Sequence, residues 1–213
     1  ADERATRAAT LRVLVSLGAP ASERAVALLP NVPWFVQRNL FVLLGRLGSW
    51  PANLPTPPYV THADARVRRE AIKLMLESPA QREMGLSAGV LDADEPIRTL
   101  ALSAALEGCP GHIVPMVRRI AENATCPSET RALAVRVLAR TGDQDVVHTL
   151  VGLALVRKFR FFPPRIAAKS PAVLAAVAGL ASYWNADPRA AEVLARARRH
   201  RDVEIRSAAN PPA

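Results

Sequence analysis

One short segment sets cations among aromatic rings, a combination that could grip an anion. Arg157, Lys158, Arg160, Arg165 and Lys169 are interleaved with Phe159, Phe161 and Phe162, which are three of the five phenylalanines in the chain. Cations beside aromatic rings can hold single-stranded nucleic acid, the rings stacking on bases while the cations meet phosphates, or can rest on an acidic membrane surface. Arg157, Lys158, Phe159, Arg160, Phe161, Phe162 and Arg165 are therefore the candidate binding residues. The plainer reading is preferred: the phenylalanines fold back over an opening in the helical stack and the cations are solvated around them. A second basic run, Arg196, Arg198, Arg199, His200 and Arg201, falls near a helix end, where the helix dipole favours cations without any ligand.

A column of arginines is the other feature with chemical potential. An acid precedes an arginine by four residues at Glu3 and Arg7, Asp64 and Arg68, Asp94 and Arg98, and Asp202 and Arg206. Gln37 and Arg131 fill two further copies, so the column reads 7, 37, 68, 98, 131, with steps of 30, 31, 30 and 33 residues. Such a row could face a groove and bind phosphate. Because most of these arginines travel with their own acid, an internal structural role is the stronger reading. An aspartate at a helix start accepts backbone N–H bonds, and an arginine one turn later reaches that carboxylate or the next one along. Its planar fork can bridge two acceptors at once.

Catalytic patterns are not found. The sequence holds no glycine-rich phosphate loop, no GxSxG elbow, no HExxH and no paired Cys/His cluster, so neither a cofactor nor a metal is expected. Cys109 and His112 have a chelating spacing, but no second pair lies near them. Cys109 and Cys126 flank a predicted helix of about 18 Å in length, beyond the roughly 7 Å limit for a disulfide, so both are expected as free thiols. His62, His112, His148 and His200 are read as surface or capping residues at repeat edges.

The elements that must position these residues are helices. Val36, Leu40, Leu43, Leu44 and Leu47 recur at helical spacing and Gly48 ends the run, an amphipathic helix with its C-terminal glycine. The same pattern runs through residues 6–18, 67–75, 97–105 and 130–142. A small residue four places after each start, Thr10, Ala71, Ala101 or Ala134, marks a close approach of helices, with Leu40 the exception. Partner helices are predicted over 22–29, 81–91, 112–123 and 145–156. The stretch 51–58 carries four prolines and is expected to be a turn or extended segment, with Trp50 and Tyr59 plugging the gap. After the insertion at 157–169, helices are predicted from Pro171 to Trp184, from Pro188 to His200 and from Asp202 to Ala209. A recurring step near 30 residues is the mark of stacked supersecondary units. The fold class is therefore all-α, an α-solenoid of six to seven antiparallel helical hairpins forming a single domain over 1–213.

The chain has 213 residues, half of them hydrophobic, and a formal net charge of +9. That charge invites anionic partners. Only three of its 28 basic residues are lysine, however, and so arginine-rich a chain matches the composition of a GC-rich genome. No apolar run reaches the ~18 residues of a membrane span, and the first residues, ADERATRAAT, lack an apolar signal core, which fits the expectation of a cytoplasmic protein.

The stretches DARVRREA (64 to 71), DEPIRTLA (94 to 101), PSETRALA (127 to 134) and DVEIRSAA (202 to 209) resemble HEAT repeats in their short bacterial, PBS-lyase HEAT-like form. The resemblance covers nearly the whole chain. It implies an armadillo-like helical stack with an inter-repeat ladder of Asp64, Arg68, Asp94, Arg98, Arg131, Asp202 and Arg206, while Pro33, Gln37 and Pro127 depart from the pattern. It implies a non-catalytic scaffold that binds a protein partner through the solenoid surface. The alternative is a nucleic-acid-binding solenoid, with a DNA-glycosylase-type enzyme as its catalytic form and a bilin lyase as a weaker analogy. The first repeat lacks a partner helix before Arg7, so the chain reads as the C-terminal part of a larger protein with further repeats or domains upstream.

Overall fold

The computed structural model describes residues 3–48, 50–157 and 163–210. Among these residues the chain forms thirteen α-helices, two short 3-10 turns and one pair of two-residue strands. It divides into two compact units, Ala1–Ala101 and Leu102–Ala213.

The first unit holds α1 (Glu3–Ser16), α2 (Ala19–Leu28), α3 (Trp34–Leu47), α4 (Pro57–Val60), α5 (Ala65–Glu77), α6 (Arg82–Leu91) and the start of α7 (Glu95–Ala105). Helix α3 packs on α1, α2 and α5, and α5 packs on α4 and α6. Gly48 stops α3 in the left-handed region at φ 102°, and its N–H returns to the Leu44 carbonyl. Few other residues tolerate that backbone, so the glycine ends the helix at a fixed point.

The proline-rich stretch leaves only the single turn α4 where a full helix would stand. Four prolines cannot supply helical N–H donors, so the backbone there stays mostly irregular. The space is filled by rings. Trp50 stacks on Phe41 at 5.9 Å and Tyr59 meets the same ring edge-on at 4.9 Å. All three are buried, and the indole N–H of Trp50 donates to the Leu54 carbonyl at 3.0 Å, so its polar atom is satisfied inside the core. Ser78 fastens this plug to α5, its hydroxyl oxygen accepting the Trp50 backbone N–H at 2.8 Å.

The second unit holds the rest of α7, then α8 (Val114–Glu122), α9 (Ser128–Ala139), α10 (Gln144–Ala154), α11 (Pro171–Tyr183), α12 (Pro188–Arg198) and α13 (Val203–Ala208). Packing runs between helices one or two places apart: α9 on α8, α10 and α11, and α11 on α10, α12 and α13. Helix α11 is almost wholly apolar, with a Ser170 cap and Pro171 opening it. It lies so close to α9 that a methyl group at Gly179 would sit 2.5 Å from the Ala139 Cβ. The small-residue contact expected at Ala101 is present as well, a methyl at Gly89 falling 2.6 Å from its Cβ.

Among the described residues the fold departs from an all-helical one at a single strand pair. Strand β1 (Leu155–Val156) pairs antiparallel with β2 (Arg165–Ile166), Leu155 opposite Ile166 and Val156 opposite Arg165. The ladder continues α10 as extended chain, because Pro163 and Pro164 cannot re-enter a helix and the β-branched Val156 and Ile166 suit a pleated pair. Among the described residues, no single helix is long and apolar enough to cross a membrane.

Candidate functional site

Three turns share one hydrogen-bond scheme. Asp64 caps α5 by accepting the Arg66 N–H, Asp94 accepts the Ile97 N–H, and Asp202 accepts the Glu204 and Ile205 N–H groups. Two residues before each cap, a side chain accepts the cap's own N–H: His62 Nδ1 at 2.9 Å, Asp92 Oδ1 at 2.8 Å and His200 Nδ1 at 3.1 Å. Four residues after each cap, an arginine Nη1 donates to two carbonyls of the turn. Arg68 reaches His62 and Ala63, Arg98 reaches Asp92 and Ala93, and Arg206 reaches His200 and Arg201. These carbonyls follow the end of one helix, beyond its own hydrogen-bond ladder.

Acid and arginine therefore divide the work rather than pairing. Among the described contacts, none joins Asp64 to Arg68, Asp94 to Arg98 or Asp202 to Arg206 as an ion pair. A helical side chain leans toward the preceding turn, which carries each guanidinium over the loop and past its neighbouring carboxylate. The departures keep the same task. Gln37 Nε2 donates to the Leu29 carbonyl at 2.9 Å, and Arg131 Nε to the Ala121 carbonyl at 3.2 Å. The signal legible in sequence is His/Asp-x-Asp-x-x-x-Arg, at 62–68, 92–98 and 200–206; the residue two before the cap goes unnoticed when the column alone is followed.

Arg68 alone of these adds a carboxylate. Its Nε and Nη2 both reach Asp92 at 2.8 Å, a two-pronged pair with the aspartate side chain 4% exposed and the arginine 15%. Burial pushes the Asp92 carboxyl up, but the Arg68 fork, the Asp94 N–H and the charges of Arg68 and Arg98 outweigh it and hold it below its usual range. Asp64 and Asp187 are half-buried carboxyls lowered to about 2, each mainly by the arginine two residues on.

The third turn forms one wall of a groove of about 800 Å3 that lies within the second unit. Helix α12 supplies Glu192, Ala195 and Arg196 on one face, with Arg199 at its C-terminal cap, while Ala190, Val193, Leu194 and Ala197 bury the opposite face. His200 and Arg201 follow from the turn, and β2 brings Pro164, Arg165 and Ile166 from the other side. The two basic segments seen in the sequence thus meet. Arg196 pairs with Glu192 at 3.0 Å, and its Nε is buried with no partner among the described residues. Arg165, Arg199 and Arg201 are exposed and meet no carboxylate among the described residues.

Both walls are fastened to the same turn. Arg206 holds the carbonyls of His200 and Arg201, and Lys169, three residues beyond β2, contacts Asp202 and Glu204 at 3.1 Å each. The two acidic partners raise the Lys169 pKa. Lys169 is thereby a tether of the groove and not one of its open cations. Arg157 is described and exposed, but no contact places it in the groove; Lys158, Phe159, Arg160, Phe161 and Phe162 lie outside the described residues.

No cluster of three or more potential metal ligands occurs among the described residues. Cys109 and Cys126 are free thiols, and burial pushes the Cys109 thiol up. No protein-family model matches this chain, and no curated protein matches it.

Proposed function

We propose that this chain is a HEAT-like α-solenoid of stacked helical hairpins that binds a partner protein without catalysing a reaction. The observation that supports it best is the repeated turn, in which a capping aspartate starts one helix and an arginine ties off the loop left by the one before. Such a device recurs where each supersecondary unit is secured locally and packs chiefly on its neighbours. Packing between helices one or two places apart, within each unit, agrees with that reading. Capture from a nuclease-treated extract of the native source tests it: proteins should be retained by the wild type and lost with R199E/R201E. Retention unchanged by that variant, or no retained protein at all, would contradict a partner held at this surface.

A second reading, nucleic-acid binding, is favoured by one observation, the gathering of Arg165, Arg196, Arg199 and Arg201 in one groove. Phosphate neutralisation by these arginines would make binding to DNA or RNA fall steeply with salt. An electrophoretic shift series checks this, and no shift at low salt removes the reading.

A further inference from the structure

We infer that the groove between α12 and β2 is a docking site for an acidic peptide segment of the partner, one carrying consecutive Asp or Glu side chains. The inference rests on the scaffold reading and names the chemistry of its partner.

The charge balance comes first. Among the described lining residues, four guanidinium groups, of Arg165, Arg196, Arg199 and Arg201, stand against the single carboxylate of Glu192, which is engaged by Arg196. The excess is not a helix-end effect alone, because Arg165 comes from a different element and faces the same space. Arginine forks take carboxylates in two-pronged geometry, and Arg196 keeps a buried Nε without a partner beside the open space.

The described lining also offers apolar surface to a peptide, since Pro164, Ile166 and Ala195 lie among the cations. An apolar strip flanked by guanidinium groups fits the methylene stems of glutamates with their carboxylates splayed to either side. The volume, about 800 Å3, suits a segment of a few residues rather than a folded surface.

The site is also held in place before any ligand arrives. Arg206 fixes the His200 and Arg201 carbonyls, and Lys169 ties the chain after β2 to Asp202 and Glu204 on the opposite wall. Fixing both walls lowers the ordering cost of binding.

The test is fluorescence anisotropy with labelled hexaglutamate on the full chain, beside labelled hexathymidylate of similar charge. Hexaglutamate should bind, weaken with added salt, and lose about tenfold or more in affinity in R199E/R201E. The control R24E/R38E changes net charge equally on exposed arginines of the other unit and should leave binding unchanged. R165E, on the opposite wall, should reproduce the loss and serves if the double variant melts early. Equal loss in the control, tighter binding of hexathymidylate, or no hexaglutamate binding at low salt would each overturn the inference. Partner capture that persists while hexaglutamate fails would leave the scaffold reading standing and remove only this chemistry.

Discussion

Replacing Arg68 with alanine removes two kinds of contact that the neighbouring turns separate. Arg98 and Arg206 each donate to two turn carbonyls, and Arg68 does the same, at 2.8 and 3.2 Å. Net hydrogen bonds of this kind contribute about 1 kcal/mol each, so Arg98→Ala should cost roughly 2 kcal/mol. Arg68→Ala also strands the Asp92 carboxylate, which is 4% exposed and loses both 2.8 Å bonds. Breaking one side of a buried pair costs about 3–5 kcal/mol in full, and partial exposure of the arginine puts the added cost near 2, for a total of about 4 kcal/mol. Urea unfolding of the single variants and of the Arg68→Ala/Asp92→Ala double gives the coupling directly, expected at about 1–3 kcal/mol. Asp92 has a depressed pKa in the folded state, so its contribution is present above the unfolded value of about 3.9 and is lost as pH falls through the lower folded value. The gap between wild type and Arg68→Ala should therefore narrow from pH 7 toward pH 3. An Arg68→Ala cost no greater than that of Arg98→Ala, or a coupling below about 0.5 kcal/mol, would refute the assignment.

Close helix contacts give a second set of outcomes. Gly89→Ala and Gly179→Ala should each destabilise by about 1–3 kcal/mol, since the new methyl meets Ala101 or Ala139 inside contact distance. Gly152→Ala, with nothing within 4 Å, should be neutral or stabilising by up to about 1 kcal/mol, and thermal melts rank the three. Trp50→Phe keeps the ring against Phe41 but removes the donor to Leu54, so a loss of about 1–2 kcal/mol is expected by urea unfolding. Cys109, its thiol raised by burial, should alkylate slowly with iodoacetamide at pH 7 and faster in urea, as followed by mass spectrometry.

The helices were legible because their apolar positions recur at helical spacing and their ends are chemically marked. Gly48, Ser170 with Pro171, and Asp187 with Pro188 stand at observed boundaries. The proline-rich gap and its filling by Trp50 and Tyr59 could likewise be read, since proline excludes helix and large rings need burial. The β1–β2 pair was not, because two residues per strand leave no alternation to detect. The arginine column was visible, but its role depends on side-chain direction: each guanidinium leans back over its turn instead of meeting the acid four residues earlier. The groove depends on tertiary placement. Arg165 and Arg199 are 34 residues apart, and nothing in either segment shows that β2 packs beside α12. A helical reading of 192–199 does separate Glu192, Arg196 and Arg199 from the buried Val193, Leu194 and Ala197, which was the available clue.

The central claim, that the α12 and β2 groove receives an acidic segment of a partner protein, is met most directly by photo-cross-linking in the native source. A photoreactive residue placed at Arg199 should yield a protease-sensitive, nuclease-resistant adduct whose linked peptide is rich in Asp and Glu. A nuclease-sensitive adduct, or linkage only to peptides without an acidic run, would contradict it.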